Sequence, residues 1–104
     1  MSRTFTIHLA GQSFRLVFCN MKGDARGNHI LVLITEANEP FCKLTVILDT
    51  PPAKGCFWLK DWSENAPVVA QLEALNVFEF TGRREPTGHV VAREARLASG
   101  VFAL

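Results

Sequence analysis

Three cysteines and three histidines are the residues of this 104-residue sequence that could bind a metal ion or act as nucleophiles. No two of them have the C-x-x-C or H-x-x-x-H spacing that structural zinc sites usually show. Cys19, Cys42 and Cys56 each lie in an apolar, strand-like segment, where burial raises the pKa of a thiol and lowers its reactivity. We therefore expect inert core thiols, no metal site, no cofactor and no catalytic residue. A Cys-His nucleophile pair stays open, because such partners meet in space rather than in sequence.

Two adjacent arginines, Arg83 and Arg84, lie in a segment bounded by Gly82 and Gly88. The turn-forming residues of this segment predict a loop over residues 81–88, and nothing in such a loop requires two neighbouring guanidinium groups. We interpret the pair as a contact to a partner. The alternative is a solvated charged loop, in which exposed charges contribute little to stability.

Two tryptophans flank a lysine in the segment Trp58, Lys60 and Trp62. Tryptophan is enriched at the energetic centres of protein interfaces, which makes these three residues candidate partner contacts. The alternative is that both rings pack beneath the helix that follows. The nearby acids Asp61 and Glu64 are explained by helix capping and by the helix dipole without acid–base chemistry.

The sequence pattern changes from strand-like to helix-like between residues 57 and 67. Phe57 and Leu59 point to one side of an extended segment and indicate a short strand with one buried face. Pro67 is tolerated only in the first turn of a helix, so the helix begins near this residue. The sequence therefore predicts a helix from about residue 67 to residue 75, capped by Ser63 or Asn65. Its apolar stripe is Val68, Leu72 and Leu75, broadened by Val69, and this stripe must pack on a sheet.

Apolar residues recur with period two in most of the remaining chain, which is typical of strands with one buried face. The predicted strands are residues 5–9, 14–18, 30–34, 44–48, a short piece at 77–80 and a last strand at 89–97, with loops at 21–28 and 50–55. These elements predict one α+β domain over residues 1–104, a mostly antiparallel sheet of five to six strands with one short helix packed on one face.

Arg93 falls on the apolar side of the last predicted strand. Either this strand lies at an edge and the side chain extends to water, or the guanidinium reaches a partner carboxylate. The strand at residues 30–34 is apolar on both faces, and one helix can cover only one of them. We therefore expect the second face, or the edge of the last strand, to be buried in a homodimer, unless residues 101–104 cover it.

Charge and targeting signals narrow the function classes. Eleven basic and ten acidic residues give a net charge of +1, which argues against an acidic mimic of nucleic acid and does not support a strongly basic nucleic-acid binder. The longest apolar run, residues 30–34, is too short to cross a bilayer, and the first twenty residues do not resemble a signal peptide. Three widely spaced cysteines are typical of a reducing compartment, so we expect a cytoplasmic protein.

Several short motifs resemble a family of small uncharacterised proteins encoded on bacterial plasmids, prophages and integrative elements. The motifs are residues 41–46 (FCKLTV), 57–65 (FWLKDWSEN), 81–83 (TGR), 86–88 (PTG) and 96–97 (RL). Ile47 stands where the family often has Asn, and Ala66 where it often has Gly. The resemblance implies no catalytic residue. It implies a biological role associated with mobile elements, since their small proteins are often inhibitors of host defence, including anti-CRISPR proteins.

Together these features favour a non-enzymatic protein-binding module of a mobile element, acting against a host defence complex. The candidate partner-binding residues are Arg83, Arg84, Trp58, Lys60, Trp62 and Arg93. One alternative is a nucleic-acid-associated accessory protein that uses the arginines and tryptophans, and a second alternative is a small enzyme.

Overall fold

A computed structural model describes residues 4–21, 29–101 and 103 of the chain. Its elements are β1 (Phe5–Leu9), β2 (Gln12–Met21), β3 (Ile30–Thr35), β4 (Pro40–Lys43), β5 (Thr45–Val46), β6 (Phe57–Leu59), a 3-10 turn (Ser63–Asn65), α1 (Ala66–Ala74), β7 (Phe78–Thr87) and β8 (Val90–Leu97). They form two antiparallel four-stranded sheets, ordered β1-β2-β3-β4 and β5-β6-β8-β7. The α+β class with antiparallel strands and one short helix is confirmed, and the expected single sheet of five to six strands is matched only roughly, since the strands are divided between two sheets.

The chain passes from the first sheet to the second at Leu44, which lies between β4 and β5. The Leu44 N–H donates to the carbonyl of Leu31 in the first sheet at 2.9 Å, and its own carbonyl accepts from the N–H of Lys60, which follows β6, at 2.7 Å. Its side chain is completely buried. The alternating pattern of residues 44–48 predicts one straight strand, because such a pattern does not reveal that a strand bends from one sheet into another.

The hydrophobic core lies between the two sheets and α1. It is built from the inward-facing residues Phe5, Ile7, Leu16, Phe18, Leu31, Leu33, Leu44, Phe57, Leu59, Val68, Val69, Leu72, Val77, Phe78 and Ala95. Most of them are the apolar members of the period-two patterns, so the predicted faces of the early strands are confirmed. The rings of Phe5 and Phe18 pack edge to face, with their centroids 5.1 Å apart.

Helix α1 differs from the prediction at both ends. Leu75 lies beyond its last residue with 44% of its surface exposed, so the buried stripe consists of Val68, Val69 and Leu72. The helix follows Asn65, as predicted, but the Asn65 side chain makes no cap hydrogen bond. Its amide instead donates to the carbonyls of Lys43 and Lys60 at 2.8 and 3.0 Å, which fastens the start of the helix to both sheets.

The loop predicted over residues 81–88 is wrong, because β7 continues to Thr87 and pairs with β8. The register shifts between Phe80 and Arg84, so that residues 81–83 lie opposite the single residue Glu94. Gly82 provides the positive φ of +92° that this bulge requires. Strand β8 lies between β6 and β7 rather than at an edge, which excludes the edge interpretation of Arg93.

The second face of β3 is partly covered. Leu31 and Leu33 are buried in the core, whereas Val32 and Ile34 on the opposite face are half-buried. The C-terminal residue Ala103 forms a parallel bridge to Phe18 and packs against the core, so it does not lie over that opposite face. Self-association through this face stays a prediction. Residues 22–28 of the predicted loop at 21–28 lie outside the described residues.

Within the described ranges, no helix has the length and apolar character needed to cross a membrane.

Candidate protein-binding surface

One face of the β7–β8 pair extends past the core into solvent. Directly opposite residues of an antiparallel pair project from the same face, and the pairs here are Phe80 with Ala95, Arg84 with Arg93 and Pro86 with Val91. Ala95 belongs to the core, so this is the inward-facing side of the second sheet. Beyond the core it presents four exposed side chains, which we call the hairpin face: Phe80, Arg84, Pro86 and Val91.

The hairpin face combines apolar surface with the positive charge of Arg84. Phe80 and Val91 keep 39% and 47% of their surface exposed. Arg84 lies between them, and none of the ion pairs found among the described residues includes it. Exposed aromatic and arginine side chains are enriched at protein interfaces, so this composition is typical of a contact surface.

Arg93 anchors the base of the hairpin face. Its Nε donates to Asp61 Oδ2 at 2.7 Å, and Nη1 and Nη2 donate to the two carboxylate oxygens of Glu73 at 3.1 and 3.0 Å. The hydrogen bonds to Glu73 and Asp61, together with the charges of both acids, raise the pKa of Arg93, although burial opposes them. Its guanidinium lies 4.3 Å from the centre of the Phe80 ring. This cation–π contact holds an exposed aromatic ring in place.

Arg83 points to the opposite face of the sheet. Its Nη1 donates to Glu94 Oε2 at 2.7 Å, while Thr81 Oγ1 donates to Glu94 Oε1 at 2.6 Å and the N–H of Ala53 donates to Oε2 at 2.9 Å. The Glu94 side chain is only 1% exposed. The bulge therefore brings Thr81 and Arg83 together on one buried carboxylate, which also holds the segment that contains Ala53 against the sheet.

Two further features complete the surroundings of Glu94. Burial raises its pKa, but the hydrogen bonds from Thr81 and Ala53 and the charge of Arg83 outweigh burial and leave the pKa lowered. Trp58 is buried beside this group, its indole N–H donates to the Thr50 carbonyl at 2.8 Å, and the Arg83 guanidinium lies 5.4 Å from its ring centre. These contacts favour the packing interpretation of Trp58.

The predicted contact residues thus lie in four different places. Arg84 belongs to the hairpin face and Arg93 lies next to it, whereas Trp58 and Arg83 lie on the other side of the sheet in what we call the Glu94 cluster, which consists of Glu94, Thr81, Arg83, Ala53 and Trp58. Lys60 lies apart, pairing with Glu64 at 2.8 Å near the start of α1. Trp62 is half-buried between Asp61 and the 3-10 turn.

The sequence alone did not identify Phe80, Val91 and Glu94 as candidate site residues. Phe80 and Val91 carry apolar patterns that predict burial, and only the length of β7 reveals that the pair extends past the core. Glu94 lies in a β-strand pattern as an outward-facing acid, which usually indicates solvent. The available signal is Thr-Gly-Arg at residues 81–83, where a glycine flanked by two hydrogen-bond donors is consistent with a bulge.

Of the three cysteines expected in the core, Cys56 is buried, whereas Cys19 and Cys42 are half-buried, and the inertness of the thiols stays a prediction. Burial is the main cause that raises the pKa of the Cys42 thiol, with Glu64 adding to it and Lys60 opposing it. Burial followed by the charge of Glu94 raises the pKa of Cys56. Across residues 4–21, 29–101 and 103, no group of three or more His, Cys, Asp or Glu side chains is placed to hold a metal ion.

No family model matches this sequence, and neither a curated protein nor a solved structure matches it. The resemblance to small proteins of plasmids, prophages and integrative elements therefore stays a prediction. The geometry of the hairpin face and of the Glu94 cluster is what supports a functional interpretation.

Proposed function

We propose that this protein is a non-enzymatic protein-binding module and that the hairpin face is its contact surface. The main support is Arg84, which has no ion pair among the described residues and lies between the exposed side chains of Phe80 and Val91. A surface of this composition fits a partner segment that presents an apolar side chain beside a carboxylate. Desolvating a guanidinium against such a carboxylate gives specificity, and the flanking apolar area gives affinity.

The rigid base of the surface supports this proposal. Arg93 is fixed by Asp61 and Glu73, and it fixes Phe80 in turn. Binding then orders few side chains, and the entropic cost of association is lower than for a mobile surface.

The charge distribution favours a protein partner over nucleic acid. Arg83 is paired with Glu94, Arg93 with Asp61 and Glu73, and Arg96 with Glu79. Nucleic-acid binding draws its affinity from several unpaired cations along one surface. The raised thiol pKa values of Cys42 and Cys56 in turn count against a nucleophilic enzyme.

The biological setting of the proposal comes from the resemblance to proteins of mobile elements. We assign the protein to the cytoplasm, where the reduced thiols are stable, and to the inhibition of a host defence complex, as anti-CRISPR proteins do. The partner is then one subunit of that complex.

Affinity purification from a bacterial host tests the proposal. The tagged protein should retain one stoichiometric protein after nuclease treatment, and the double variant Phe80→Ser/Val91→Ser should lose it. Met21→Ser is the matched control, because it removes an apolar side chain of similar exposure, 51%, from the first sheet. Retention of nucleic acid alone, or equal capture by the double variant, would refute the proposal.

A further inference from the structure

An open cleft of about 420 Å³ lies between β4 and the start of α1, on a different part of the molecule from the hairpin face. Its apolar walls are Leu9, Phe41 and Val68. Its volume falls within the range of small-molecule sites, which are typically apolar with a few converging polar groups.

The polar groups inside the cleft are already satisfied. Asn65 is only 2% exposed, its Nδ2 donates to the Lys43 and Lys60 carbonyls, and its Oδ1 accepts from the Cys42 thiol at 3.1 Å. Among the described lining residues, the buried Asn65 amide therefore has no free N–H left for a ligand. A ligand that enters the cleft gains most by burying an apolar body.

The charged groups of the cleft are three flexible side chains. Lys43 and Lys60 supply two positive charges and Glu64 supplies one negative charge, so the net charge is +1. Lys60 pairs with Glu64, whose side chain is 70% exposed, and such surface ion pairs contribute little. Lys43 is exposed and has no ion pair among the described residues. Both ammonium groups can therefore turn to an anion.

From this arrangement we propose that the cleft binds a small amphiphilic carboxylate, with its apolar body against Leu9, Phe41 and Val68 and its carboxylate between Lys43 and Lys60. This site is independent of the proposed protein contact. Neutral analogues lose the charge interaction, and cationic analogues are repelled by the net positive charge.

Cys42 is a built-in reporter, because it lines the cleft and its thiol donates to Asn65, a second lining residue. The test measures iodoacetamide alkylation of Cys42 by peptide mass spectrometry at mildly alkaline pH, with 4-phenylbutyrate, 4-phenylbutyramide or 4-phenylbutylamine present. At a carboxylate concentration ten times its Kd, the alkylation rate of Cys42 should fall about tenfold. Cys19, which lies on β2 away from the cleft lining, is the internal reference and should keep its rate.

The variant Lys43→Met/Lys60→Met should keep the melting temperature and lose the protection, and Lys43→Met alone should weaken it. If the double variant does not fold, the result with Lys43→Met decides. The proposal is overturned if the carboxylate gives no protection, if the amide or the amine protects Cys42 equally, if Cys19 is slowed to the same extent, or if the folded lysine variants stay fully protected.

Discussion

Arg84 and Arg93 lie directly opposite each other on the same face of the β7–β8 pair. Like charges in this position destabilise a sheet. Asp61 and Glu73 both pair with Arg93 and together outweigh its charge, whereas Arg84 has no ion pair among the described residues. Sequences tend to break such local rules at functional sites. The arrangement is thus easier to explain by binding than by folding.

Reversing the charge of Arg84 should not weaken the fold. Arg84→Glu removes the repulsion between Arg84 and Arg93 but brings a third carboxylate towards Asp61 and Glu73, so the free energy of unfolding should change by no more than about 0.5 kcal/mol. Urea denaturation monitored by tryptophan fluorescence provides the measurement. A loss of more than about 1 kcal/mol would show that Arg84 has a structural partner.

The same change at the neighbouring position should have the opposite effect. Arg83→Glu places a second carboxylate beside the buried Glu94, and breaking such a buried pair costs about 3 kcal/mol or more. Arg83→Met removes the ion pair without adding repulsion and leaves the bonds from Thr81 and Ala53, so its loss should be about 2 kcal/mol. Equal stability of the Glu variants at positions 83 and 84 would contradict the assignment of the two arginines to different faces.

Glu94 should make stability depend on pH in the acid range. Its pKa in the folded state is lowered from the ordinary 4.5, so the ionised group stabilises the fold above its unfolded pKa, and this contribution is lost as the pH falls through the folded pKa. Unfolding free energies should therefore decrease below about pH 5.

Glu94→Gln is the matched control for this titration, because it keeps the shape of the side chain without the charge. It should be less stable than wild type at pH 7 and should lose less stability between pH 7 and pH 3. Parallel pH profiles for the two proteins would mean that other carboxylates cause the acid dependence.

Asn65 should be a central residue for stability although it is not a helix cap. Asn65→Ala leaves the partly buried carbonyls of Lys43 and Lys60 without their amide donor, and the expected loss is about 2 kcal/mol. Asn65→Asp is of similar size but directs a charged oxygen at those carbonyls, so it should be still less stable at neutral pH and partly recover in acid. Thermal unfolding at pH 7 and pH 4 checks both expectations. An alanine variant as stable as wild type would show that the Asn65 hydrogen bonds to the Lys43 and Lys60 carbonyls do not stabilise the fold.

The sequence predicts the buried faces better than the connections between them. Alternation in a segment such as residues 5–9 reports which side of a strand is buried, since Phe5 and Ile7 lie in the core and Leu9 packs against it. It contains no information on how strands are grouped, since Leu44 bends the chain between sheets without interrupting the apolar pattern. The division into two sheets therefore depends on long-range hydrogen bonds that no local pattern encodes.

The candidate site was predictable only in part, for a related reason. Turn-forming residues around Gly82 indicate irregular backbone, and a loop and a bulge share the same composition. The difference matters because the bulge keeps residues 83 and 84 within a paired strand, where the side chains of Arg83 and Arg84 project from opposite faces. Burial of the acid that binds Arg83 depends on the segment around Ala53, which is distant in sequence.

The central claim, that the hairpin face is the contact surface, is tested most directly by titrating the captured partner protein into wild type, Arg84→Glu and Arg15→Glu in a calorimeter. Arg15 is the matched control, since it is an exposed arginine of the first sheet whose contact with Glu36 is a loose 3.8 Å. Arg84→Glu should weaken binding by at least about tenfold, because the reversed charge repels the partner carboxylate, while Arg15→Glu should leave the Kd unchanged. Equal affinities for wild type and the folded Arg84→Glu variant would contradict the account.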